Sequence, residues 1–365
     1  MITRARRTDA GFTLTELLIS TAIMLTVTGA IFGLMAPSQG TAQVQPEVAD
    51  MQQRMRVGSE TLFKELVMAG AGPYQGATTG SLVNFFAPIL PRRTGRTSSD
   101  PTRGLASVKT DAITLSYIPN SYSQTTISSA MPNVSAELKV FDQPNCPSGE
   151  ELCGFEIGMQ VIIFDTSGNF DTFVITQVQD AAGHLQHRQQ PLNYPYGVGA
   201  QITQIVSNTY YLDRTTNKLM RYNGADEDLA LADDVVDLRF TYYGDPAPPL
   251  LPKPPAGVAN CLYDGVGNYI GPAAMTPTDG SLVELTADVL SDGPFCGSGP
   301  NEFDADLLRV RKVRVSLRVQ AASIAFRGSD TSLFMKPGSA NGGQRFIPDY
   351  RSTFEVTPRN LNLAR

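Results

Sequence analysis

Gly11-Phe12-Thr13-Leu14-Thr15-Glu16-Leu17-Leu18-Ile19-Ser20 opens a run of apolar and small residues that extends to Ala36, and its reading decides the fold. Ahead of it stands a short basic stretch with Arg4, Arg6 and Arg7. Apart from Glu16, no charged residue occurs between Asp9 and Glu47. About 20 predominantly apolar residues suffice to cross a bilayer as a helix. The run therefore predicts a membrane-spanning helix over 12–36. Basic residues before the span and none soon after it predict a cytoplasmic N-terminus, with the bulk of the chain across the membrane. A cleavable secretory signal would carry a shorter apolar core and a small-x-small site, and Leu34-Met35-Ala36 makes a poor one. A plain anchor fits the length but leaves Glu16 unexplained, because a carboxylate near the edge of a span is costly unless paired.

Outward from that run, Val48, Met51, Met55, Leu62, Leu66 and Ala69 recur at three- and four-residue spacing, with Gly58 on the same face. That period predicts an amphipathic continuation of the helix within 37–72, packed on a β-sheet and stopped by Gly70-Ala71-Gly72-Pro73. Gly33 to Pro37 is expected to loosen the helix, and Pro46 to kink the junction or begin the second segment. The remainder, 73–365, reads as a β-rich head. Strands are expected over 111–118, 159–164, 171–178, 209–213, 218–222, 235–243, 307–319 and 354–357. Turn residues Thr166-Ser167-Gly168-Asn169 and Arg214-Thr215-Thr216-Asn217 predict two hairpins. In the longest strand, Val313, Val315, Leu317 and Val319 share the parity assigned to the core. A proline-dense stretch from Gly244 to Ala256 cannot be a central strand. It opens an insertion at about 244–301, in which 283–290 reads as a helical turn or two. The expected class is α+β: a long N-terminal helix on an antiparallel β-sheet head, elaborated by loops.

The 365 residues hold 32 Gly and 25 Pro, and a formal net charge of −6 gives no general case for binding nucleic acid. Four cysteines in a chain that leaves the cytoplasm point to disulfides, with three connectivities open. The sequential pairing, Cys146 with Cys153 and Cys261 with Cys296, is expected because each bridge then pins one loop. Metal-ligand spacing is absent from both groups. With 2 His in the chain, at His184 and His187, no nucleophile and base pair can be defended, and exposed polar residues are the expectation there. The acidic residues Asp226, Glu227, Asp228, Asp233, Asp234 and Asp237 form the one cluster that a cation might use, but they do not match a calcium-loop spacing. A solvated turn is expected instead. Arg92, Arg93, Arg96 and Arg103 form a basic patch without interleaved aromatics, expected to be a surface loop. No catalytic residue, metal or cofactor is expected.

Gly11-Phe12-Thr13-Leu14-Thr15-Glu16, behind a basic leader and ahead of an uncharged apolar helix, resembles the signal sequence of the type IV pilin superfamily. The resemblance implies a leader peptide 1–11, cleavage by prepilin peptidase after Gly11 and N-methylation of the new terminal Phe12. It also implies that Glu16, then the fifth mature residue, pairs with the amine of a neighbouring subunit during assembly. Tyr210-Tyr211-Leu212, Leu219-Met220-Arg221, Val235 to Tyr242, Val310 to Leu317 and Phe354 to Asn360 resemble the large minor-pilin and pseudopilin branch called PilW-like or GspJ-like. The function implied is a non-catalytic minor pilin of a type IV pilus that initiates or caps the filament. The alternative within the family is a pseudopilin of a type II secretion system. From another class, a membrane-anchored periplasmic binding protein or enzyme is the rival. Implied partners are other pilin or pseudopilin subunits, prepilin peptidase, the inner-membrane assembly platform, a tip adhesin, and the inner membrane before assembly. The insertion is expected to be a lineage-specific surface elaboration; in the functional reading it is a contact surface for a tip subunit or adhesive partner.

Overall fold

Leu14–Met68 forms a single helix in the computed structural model, which describes residues 11–73, 80–94, 108–120, 123–143, 146–276, 281–340 and 346–363. The leader residues Arg4, Arg6 and Arg7, and Arg96 and Arg103 of the basic patch, lie outside the described residues. Pro37 and Pro46 both fall inside the helix, so the two expected segments are one element. Each proline forfeits one backbone bond and crowds the turn before it. Propagation through the flanking turns outweighs that local loss.

The chain divides into two units, Met1–Met51 with Ala321–Pro348, and Gln52–Gln320 with Asp349–Arg365. In the first, Glu47 Oε1 accepts the Ala322 N–H at 2.5 Å. A short 3-10 turn at Ile324–Phe326 is capped by the Ser323 hydroxyl. Phe334 is buried there and meets Phe346 edge-on at 5.7 Å.

In the second unit the helix residues from Gln52 to Met68 lie over two sheets at once. Leu62, Leu66 and Met55 are buried, as the apolar stripe predicts. At Gly58 an added Cβ would stand 2.9 Å from the Leu317 side chain and 3.2 Å from that of Leu219, so a side chain there would have to push the leucine ends aside. Glu65 accepts hydrogen bonds from the Tyr117 hydroxyl and the Asn208 amide, each at 3.3 Å. Burial, with the Glu65 charge beside it, pushes Tyr117 up to about 12.

Among the described residues the sheets are antiparallel. A four-stranded sheet runs Val283–Leu285, Val235–Gly244, Val310–Val319, Tyr350–Val356. Val313, Val315, Leu317 and Val319 are fully buried in it, the expected core parity. On the other parity Arg318 is nonetheless buried, paired with Asp349 at 2.8 Å. A five-stranded sheet orders Ile89–Leu90, Ala112–Tyr117, Val206–Asp213, Lys218–Tyr222 and Asp228–Ala232. Both predicted hairpins form, with Phe164 opposite Phe170 and Asp213 opposite Lys218. The first of them belongs to a seven-stranded sheet that closes its own core around Ile127, Leu138, Val161, Ile163, Leu185 and Ile202.

Three expectations need correction. Residues 305–309 are a 3-10 turn and the long strand starts at Val310. Residues 283–285 are a strand, because Val283 and Leu285 bury against Gly244 and Tyr242 while Glu284 faces out, and the helical turn expected over 283–290 is confined to a 3-10 turn at Val289–Ser291. Beyond Val174 the strand expected to 178 breaks, and Gln177–Gln179 pairs instead with His184–Gln186.

Candidate functional site at the N-terminal helix

Thr13 and Glu16 begin the helix as a reciprocal pair. The Glu16 carboxylate accepts the Thr13 backbone N–H at 2.9 Å and its hydroxyl at 2.8 Å. In return the Glu16 N–H donates to the Thr13 hydroxyl at 3.3 Å. This is a capping box, in which a Thr and a Glu three residues on satisfy each other's orphan helix-end groups. The lone acid is therefore not partnerless within one chain. The Thr-x-x-Glu spacing was the signal for that role, and sequence reasoning passed over it.

Phe12 stands fully out, 87 % exposed, with Gly11 beside it and nothing within 4 Å of where a Gly11 Cβ would be. From Leu14 to Met35 the helix is long and apolar enough to cross a membrane, and none of that stretch is buried. Leu18, Ile19, Ile23, Met24, Leu25 and Phe32 are each more than half exposed. Ser20, Thr21 and Thr26 return their hydroxyls to the carbonyls one turn back, which removes the desolvation cost of a polar group in an apolar setting.

The other sequence candidates disperse. Four acids of the run 226–237 find separate partners: Glu227 pairs with Arg221, Asp233 with Lys218 and Asp234 with Arg54. Asp228 accepts from Tyr211 and Arg93. Arg93 lies over the Tyr222 ring at 4.1 Å, and Arg92 donates to the carbonyl of Glu302, so neither is a loose surface residue. His187, expected to be exposed, is buried and binds the carbonyls of Gln190 and Ala136 at 2.7 Å each. His184 pairs with Glu137 at 3.2 Å.

Cysteine bonding is sequential, Cys146 to Cys153 and Cys261 to Cys296. The second bridge orders the insertion, together with the Phe295–Cys296 and Phe303–Asp304 ribbon. Sequence reasoning missed the cluster of Asp292, Asp304 and Asp306, whose carboxylate oxygens lie within 4.8 Å of one another. The charge that answers them is Arg309. Its fully buried guanidinium pairs with Asp306 at 2.6 Å and donates to the carbonyls of Pro246 and Ala273. Burial lifts Asp306 to about 7, with Arg309 opposing and the charges of Asp304 and Asp292 adding.

Residues 6–32 match the family model of the prokaryotic N-terminal methylation motif. That motif supports a type IV pilin-like reading of the N-terminal segment, and the one apolar helix long enough to cross a membrane among the described residues suits membrane anchoring. No curated protein and no solved structure matches it.

Proposed function

We propose that this chain is a minor pilin of a type IV pilus, a subunit without catalysis that works by assembling into a filament. The observation that carries the reading is the methylation motif over 6–32 laid on an apolar helix whose membrane-length stretch is not buried. Prepilin peptidase cleaves after Gly11, and the freed amine of Phe12 is methylated. Before extraction, Leu14–Met35 holds the subunit in the inner membrane with the head in the periplasm. On assembly the same side chains pack beside the helices of neighbouring pilins, with the inner-membrane platform driving extraction. Glu16 then exchanges its cap on Thr13 for the amine of a neighbour's Phe12, so that two costly charges neutralise each other in an apolar core. At low copy number the head initiates or caps the filament, where a tip adhesin would meet it.

Mass spectrometry of the mature N-terminus tests this in cells with active prepilin peptidase. An N-methylated Phe12 is the expected result, and an intact Met1 overturns the reading. Glu16→Leu is expected to abolish incorporation while leaving the thermal unfolding of the head unchanged.

A further inference from the structure

The edge strand Phe170–Val174, the turn after His187, the five-stranded sheet and the end of the insertion converge on a cleft of 390 Å³. Its polar lining includes Ser116, Asp171, Thr172, Gln189, Asn193 and Asn301. Among the described lining residues Asp171 carries the one charge, and that charge is spent internally. Asp171 is 2 % exposed. Its Oδ2 accepts the Asn193 N–H at 2.9 Å and the Tyr196 hydroxyl at 3.0 Å. Its Oδ1 accepts the side-chain amides of Asn193 at 2.5 Å and Asn301 at 2.8 Å.

An ionised carboxylate only accepts, so it fixes both amides with nitrogen toward itself and leaves each amide oxygen as an oriented acceptor. Asn301 spends its second amide hydrogen on the Phe170 carbonyl at 2.8 Å, which removes its freedom to flip. Ser116 and Ser207 share one hydrogen bond at 3.0 Å, so the pair keeps a hydroxyl hydrogen and lone pairs for a third group. Thr172 adds a hydroxyl and Gln189 an amide at the rim. Gln189 holds a left-handed backbone, φ 60, which a non-glycine residue adopts at a cost and which concentrates at binding sites.

We propose that this cleft binds a neutral saccharide, as a mono- or disaccharide unit. Fixed amide oxygens and free hydroxyls match a ligand made of vicinal hydroxyls. No described lining cation favours an anion, and the spent carboxylate offers nothing to an ammonium. The volume lies in the range of small-ligand sites. The assignment is independent of whether the chain enters a filament.

The test uses the full chain in an amine-oxide detergent, which carries no sugar of its own. Glucose, galactose, mannose, N-acetylglucosamine, lactose and chitobiose are titrated, read by saturation-transfer NMR and calorimetry. Saturable binding of at least one is expected, abolished by Thr172→Tyr, which fills the cleft from a half-buried strand position. Gln189→Ala, at an exposed rim position, is expected to weaken it roughly tenfold and serves where Thr172→Tyr does not fold. Failure of every sugar to saturate overturns the proposal, as does binding that survives these changes.

Discussion

The helix Leu14–Met68 carries two surfaces on one backbone. From Leu14 to Met35 the large apolar side chains stand exposed. From Gln52 to Met68, Met55, Leu62 and Leu66 are buried against sheets of the same chain. Amino-acid type hardly separates the halves, since both are rich in Leu and Met. What separates them is where the complement lies, outside the molecule for the first and inside it for the second. Charge placement records that difference. The first half excludes charge after Glu16, whereas the second carries Arg56, Glu60 and Lys64 on its exposed side.

The sharpest way to break this contrast is to truncate equivalent side chains in each half. Leu66→Ala is expected to cost the head about 2–5 kcal/mol, the usual loss for a buried leucine, measured by urea unfolding. Ile23→Ala should leave that midpoint unmoved and reduce membrane or filament retention instead. Equal effects on head stability would erase the distinction. Next in size, Gly58→Val forces a branched side chain into the contact with Leu317 and Leu219. It should destabilise by about 1–3 kcal/mol through overpacking, whereas Gly33→Val, with open space around it, should not.

An acid response should also belong to the head alone. Burial raises Asp306 to about 7, so between that value and the ordinary carboxylate range the folded state holds a proton that the unfolded state releases. Its contribution therefore stabilises as pH falls from about 7 toward 4 and weakens on the way back. Asp306→Asn should flatten that part of the stability profile in chemical unfolding at stepped pH. An unchanged slope would place the response elsewhere. The smallest effect is expected at Arg54, whose pair with Asp234 is partly exposed. Arg54→Met should cost about 0.5–1 kcal/mol by thermal melting.

Much of this was legible in residue order. The stripe from Met55 to Leu66 and the alternation from Val313 to Val319 reported burial directly, because a single period persisted over several turns or pleats. Both hairpins were legible from their turn residues. The strands Gln124–Ser129 and Gln201–Gln204 were not, since Gln, Thr and Ser show no alternation and their placement depends on partners remote in the chain. His187 looked like a loop polar residue because the two carbonyls that satisfy it come from Gln190 and from Ala136, far along the sequence. At the N-terminus the motif was plain while the capping role of Glu16 was overlooked. Its partner inside the chain stands three residues away, at Thr13.

Arg309 fixes how the Pro-rich insertion can be changed. Its guanidinium is sealed in the interior and held by carbonyls at Pro246 and Ala273, so excising that stretch would remove both acceptors. A shortened variant becomes tolerable only when Arg309 and Asp306 are exchanged together for apolar residues of similar bulk.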